Sequence, residues 1–165
     1  MKCLSILLVL PFVGLLGCTS HPDAFISFKN NSNIIVYVNR DCWYPVDSTI
    51  IFQRDFDTWW DRLPPSSSCR YPAEPGLYLN GHGGSWNRLI NDSDGYVSFY
   101  ILDQSNKEAI ESSSIDNHYP VLIRYDLTVS DLERLDYYIE YPPTEQMSVI
   151  HMYPPYESFI ANDNP

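Results

Sequence analysis

Positive charge is scarce in this chain. Ten Lys and Arg stand against 21 Asp and Glu, a formal net charge of −11. No basic stripe interrupts that balance, so the field repels nucleic acid and anionic lipid head groups, and a nucleic-acid partner is excluded. The acidic excess serves solubility, or it draws a cationic partner or divalent ions. Long apolar runs are also missing: past residue 17 nothing approaches the roughly 20 residues a helix needs to span a bilayer. No segment recurs at a fixed period, which argues against a solenoid or a propeller. The chain has no HExxH, no GxSxG and no P-loop with its lysine.

What is present begins at the N-terminus. After the single charge of Lys2, Leu4 to Leu16 reads "LSILLVLPFVGLL". This run is short for a spanning helix, and Pro11 interrupts it. A basic start, a short apolar core and the small Gly17 are the parts of a secretory signal. The run closes on "LLGC", Leu15 to Cys18, and turns polar at once with "TSHPD". That stretch resembles the lipobox of bacterial lipoproteins. The resemblance implies cleavage before Cys18 and a diacylglyceryl group on its sulfur. It further implies an outer-membrane address, because Thr19 rather than Asp follows the cysteine. Each buried CH₂ contributes about 0.8 kcal/mol and one chain binds only marginally, so two or three acyl chains make a lasting anchor. An ordinary cleaved signal with a chance cysteine is the alternative. We expect residues 1–17 to be the signal, 18–23 a lipidated tether, and 24–165 a single β-rich domain. Without Lys2 the mature part carries nine basic and 21 acidic residues, a net charge of about −12.

Four cysteines occur; Cys3 leaves with the signal and Cys18 takes lipid, so Cys42 and Cys69 remain. An even pair in an exported chain predicts a disulfide. Closing a loop of about 28 residues, it would contribute roughly 3.5 kcal/mol on the chain-entropy argument. Two buried thiols are the alternative. No His or Cys lies at zinc-site spacing from either, and no metal site is expected.

Strand signals dominate the mature chain. "AFISFK" places Ala24, Ile26 and Phe28 on one face, and "IIVYVNR" alternates Ile34, Val36, Val38 with Ile35, Tyr37, Asn39. The intervening "NNSN" predicts a turn joining them as a hairpin. Residues 41–84 are broken by Pro45, Pro64, Pro65, Pro72 and Pro75. Long connections are expected there, with short strands near Thr49–Phe52 and Leu77–Leu79. "NDSDG" turns into "YVSFYILD", where Val97, Phe99 and Ile101 alternate with Tyr96, Ser98 and Tyr100. "NKEAIE" suits one or two helical turns. "YPVLIRYDL" predicts a strand with Val121, Ile123 and Tyr125 on one side. In "LTVSDLERL", Thr128 caps a short helix, Asp131 completes the capping box, and Leu127 with Leu132 forms a hydrophobic staple. "DYYIEY" returns to strand with Tyr137, Ile139 and Tyr141 inward, Pro142 and Pro143 end it, and Ser148–Met152 suits a last short strand before an irregular tail. The sum predicts an antiparallel β-sandwich, Ig-like in pattern, with one short helix; an α+β single sheet carrying that helix is the alternative.

"RYDLTVSDLERLDYYIEYPPTEQM" followed by "IHMYPPYE", together with the signal, resembles a group of small Bacteroidota lipoproteins of unestablished function. The resemblance covers about the last 70 residues and carries no catalytic residue over.

The residues hold little chemistry. His21, His82, His118 and His151 show no ligand spacing. "GHGGSW" pairs His82 with Ser85 in a glycine-rich stretch, which suits a flexible turn better than a hydrolase centre. The acidic groups Asp55, Asp57, Asp61 and Asp92, Asp94 raise Ca²⁺, but with Gly95 as the EF-hand glycine the first and last ligand positions fall on Ile90 and Ile101. Trp43, Trp59, Trp60 and Trp86 stand among polar residues with Tyr44, Tyr71 and Tyr78, where exposed rings would stack on sugars and buried ones would fill a small core. The reading is a non-enzymatic envelope lipoprotein without a cofactor. Its partners would be the lipid bilayer, through acylated Cys18, and a protein or a glycan. The rivals are a carbohydrate-binding module built on the four tryptophans and a hydrolase around His82.

Overall fold

The computed structural model describes residues 22–42, 60–73, 84–112 and 121–160. Among these, eight strands form two sheets. The small sheet has the order β4-β1-β7, with β1 at Phe25–Asn30, β4 at Ser68–Pro72 and β7 at Tyr138–Tyr141. The large sheet has the order β3-β2-β5-β6-β8, with β2 at Val36–Asp41, β3 at Asp61–Leu63, β5 at Val97–Leu102, β6 at Ile123–Leu127 and β8 at His151–Tyr153. Four short α-helices join them: α1 at Trp86–Asn91, α2 at Gln104–Glu111, α3 at Val129–Arg134 and α4 at Glu157–Ile160. The chain is mainly β, as the sequence predicts, with more helix than the one short helix and the turn or two at "NKEAIE" expected. All ladders are antiparallel except β1 with β7, which departs from a wholly antiparallel sandwich.

The two sheets share one apolar interior. Ile26, Phe28 and Ile139 from the small sheet meet Val38, Phe99 and Leu127 from the large one, all fully buried. The Phe28 and Phe99 rings stack at 6.3 Å between centroids, and Tyr71 meets Phe99 edge-on at 5.5 Å. Offset and edge-on pairs suit the ring quadrupole and add to the area buried. The Tyr125 hydroxyl crosses the interior and donates to the Glu140 carbonyl at 2.9 Å, tying β6 to β7.

The expected hairpin of β1 with β2 is not formed: β1 pairs with β4 and β7, and β2 with β3 and β5. The chain arches from one sheet to the other, and Asn30 is the reason. Its buried side-chain amide nitrogen reaches the carbonyls of Ile34, Leu63 and Pro64 at 2.8, 3.1 and 3.1 Å. Its carbonyl oxygen accepts from Ser32 N at 3.0 Å and Ser32 Oγ at 2.6 Å. These bonds replace the ladder partners that a hairpin would supply to the turning backbone.

β5 also differs from expectation. All six of its residues are buried, not alternate ones, because the large sheet is covered on both faces. Val97, Phe99 and Ile101 face the shared interior. On the other face Tyr100 and Leu102 join Tyr37, Trp60 and, from α2, Ile110 in a second apolar cluster. Val121 packs on this second cluster, ahead of β6, rather than beside Ile123 and Tyr125.

α2 and α3 each start on a full capping box, Asp103 with Asn106 and Thr128 with Asp131. Leu127 and Leu132 are both fully buried, as a staple requires. α1 plugs one end of the interior with Trp86 and Ile90, and the Trp86 indole donates to the Tyr71 carbonyl at 3.0 Å. The last strand begins at His151 rather than Ser148, and the expected irregular tail contains α4. The strands expected at Thr49–Phe52 and Leu77–Leu79 lie outside the described residues. No helix among the described residues is long and apolar enough to cross a membrane.

Candidate functional site

Strand register builds a polar row across the outer face of the large sheet. Asp41 of β2 stands opposite Ser98 of β5, Ser98 opposite Asp126 of β6, and Asp126 opposite His151 of β8. A second row beside it runs Asn39, Tyr100, Arg124 and Tyr153. Residues directly opposite in a ladder share a face, so the eight side chains project the same way. β5 and β6 lie inside the sheet, which buries Ser98, Tyr100 and Asp126 and leaves Arg124 half-buried; β8 is the edge strand and leaves His151 and Tyr153 to solvent.

Asp126 is the centre. Solvent does not reach it, and a buried carboxylate is tolerable only with donors around it. Ser98 Oγ donates to Oδ1 at 2.7 Å. Oδ2 takes Arg124 Nε at 3.1 Å and Nη2 at 2.9 Å, and lies 2.8 Å from His151 Nδ1. The Tyr100 hydroxyl bonds to Ser98; burial holds its pKa above the ordinary phenol range, against the opposing pull of Arg124 and Ser98. Three strands are thereby tied through one carboxylate.

The constellation contains Ser, His and Asp but not a nucleophilic triad. Ser98 and His151 bind different oxygens of the same carboxylate, whereas a triad needs the histidine between serine and aspartate. Ser98 is also fully buried, out of reach of any substrate. What the arrangement does is hold the Arg124 guanidinium and the His151 ring side by side at the surface.

No disulfide joins Cys42 to Cys69, which corrects the expected bridge. Cys69 lies in β4 of the small sheet and feels the charge of Asp61, which stands opposite Val38. Cys42 follows the end of β2 in the large sheet, four positions beyond Val38. The Arg40 guanidinium lies 4.6 Å over the Tyr71 ring. Burial pushes the Cys69 thiol up to about 11, so it is protonated and a poor nucleophile at neutral pH. The buried Tyr71 hydroxyl meets no acceptor at standard geometry among the described residues and lies beside that thiol.

Of the four tryptophans, Trp60 is 7% and Trp86 1% exposed, so both serve as packing. Trp43 and Trp59 lie outside the described residues, as do Cys18, His21, His82 and His118. Ser85, beside His82 in sequence, caps α1 and bonds to Asp23. No group of three or more metal-ligating side chains occurs among the described residues. The Asp126 cluster was invisible to motif reading because its members are 25 and 28 residues apart and meet only through the ladder. The alternation of "IRYDL" was the one local signal, since it sets Arg124 and Asp126 on the face opposite Ile123 and Tyr125.

No protein-family model, curated protein or solved structure matches this chain. The arrangement defines a mainly β body of two facing sheets with a polar patch at one sheet edge.

Proposed function

We propose that this protein is a lipoprotein of the bacterial cell envelope, anchored through acylated Cys18 and acting as a non-enzymatic binding or structural module. The observation that carries the anchor is "LLGC" closing the apolar run of residues 4–16. The non-catalytic reading is supported by the burial of Ser98 and by the high pKa of the Cys69 thiol, which leave the nucleophiles nearest to charged partners unusable. The body of this reading is a β-sandwich, supported by the shared interior of the two sheets.

The tether is short. From Cys18 to Pro22 there are four residues, at most about 14 Å of extended chain. The end of the body carrying Pro22–Ala24 and α1 therefore stays near the head groups. That end carries Asp23, Asp92, Asp94, Asp131, Glu133 and Asp136 against Arg88 and Arg134, so it is repelled by anionic lipid and relies on the acyl chains for residence. Phase partition in a cloud-point detergent tests the reading. The chain expressed with its signal should enter the detergent phase, and Cys18→Ser should move it to the aqueous phase. Aqueous partition of the unaltered chain would contradict the anchor.

A further inference from the structure

The edge of the large sheet assembles three side chains that no local motif joins. Tyr153 is 59% exposed, and it stands directly opposite Arg124. The His151 side chain is 63% exposed and projects from the same face two residues earlier. Arg124 is 31% exposed at its side chain. Both Arg124 and His151 converge on Oδ2 of Asp126, within 3.1 Å of the one atom, so they are neighbours. Their orientation is therefore set before any ligand arrives, which lowers the ordering cost of binding.

At the patch the Arg124 guanidinium balances the Asp126 carboxylate, on a chain whose net charge is −11. An exposed aromatic face beside a fixed guanidinium and an imidazole suits a sugar bearing a carboxylate. The ring takes the C–H face of the pyranose, and the guanidinium takes the acid with the imidazole beside it. A phosphate or an acidic peptide would use the guanidinium but give the Tyr153 ring no such role.

We propose that Tyr153, Arg124 and His151, positioned by Asp126, form a binding site for uronic-acid-containing polysaccharide. This names a ligand class for the module proposed above and so rests on its being a binding protein; it does not depend on the anchor.

Affinity electrophoresis of the full chain in nonionic detergent tests it, in native gels containing polygalacturonate or neutral dextran. The acidic chain is repelled by bulk polyuronate, so retardation there reports a specific site. The expected result is retardation by polygalacturonate and not by dextran, weakened about tenfold or more by Tyr153→Ala and by His151→Gln. Tyr153→Ala removes only exposed surface, and an unchanged melting curve confirms its fold. No retardation, equal retardation by dextran, or unaltered binding by both variants would overturn the proposal. Detergent-phase partition of the same preparation reports the anchor separately.

Discussion

His151 Nδ1 lies 2.8 Å from Asp126 Oδ2, an exposed ring held by a carboxylate that solvent does not reach. The pair joins the edge strand β8 to β6 in the body of the large sheet, alongside three backbone partners in register. The same carboxylate also takes Ser98 and Arg124, so its charge matters to the fold and not only to the surface.

Asp126→Asn keeps the volume but removes the charge and turns one acceptor into a donor facing other donors. A cost of about 1–3 kcal/mol is expected from the buried groups left unmatched. Urea unfolding followed by circular dichroism measures it; a midpoint equal to wild type would show that the network adds nothing to stability.

Asn30→Ala should cost a similar amount, about 1–3 kcal/mol, because the carbonyls of Ile34, Leu63 and Pro64 lose their side-chain donor. Amide hydrogen exchange gives the local readout. Ser32 N, which donates to Asn30 Oδ1, should exchange faster in the variant, and unchanged protection would count against the role given to this arch.

Thr128→Ala removes the acceptor of the Asp131 amide and should lower stability by about 1 kcal/mol. Thr128→Ser, which keeps the hydroxyl, should recover most of the loss in a thermal melt.

Alkaline pH should destabilise the fold. Cys69 rises from 9.0 to about 11, chiefly by burial, and burial likewise raises Tyr71, Tyr100 and Tyr125. Each of these groups is neutral when protonated, and the folded chain holds the proton more tightly. Their contribution is complete below the unfolded-state values and is lost as pH rises, from about pH 9 upward for the thiol. Denaturant midpoints measured from pH 7 to 11 should fall above pH 9, and alkylation of Cys69 in the folded chain should stay slow until the same range. A flat profile would contradict the buried thiol.

How much of this was legible varied with the range of the interactions. The α3 start was readable because Leu127, Thr128, Asp131 and Leu132 are near neighbours and one turn satisfies them all. Ile139 and Tyr141 were readable from alternation. The β1–β2 arch was not, because Asn30 finds Leu63 and Pro64 more than 30 residues away, and the "NNSN" signature is the same for a hairpin turn. The alternation in β5 could not show that both faces are covered: Ser98 is buried by partners from β6, and Tyr100 by the second cluster. An even pair of cysteines suggested a bridge, but spacing along the chain carries no information on which sheet each strand joins. The sequence left Trp60 and Trp86 open to sugar stacking or core filling, and the structure puts both in the core. The patch at Tyr153 was missed because sheet register, not sequence proximity, creates it.

The most direct measurement is the mass of the N-terminal peptide of the mature protein, isolated from membranes of cells expressing the chain with its signal. The account predicts a peptide beginning at Cys18 with the mass of a diacylglyceryl thioether, with or without an amide-linked acyl chain. A peptide carrying an unmodified thiol at Cys18, or one beginning elsewhere, would contradict it.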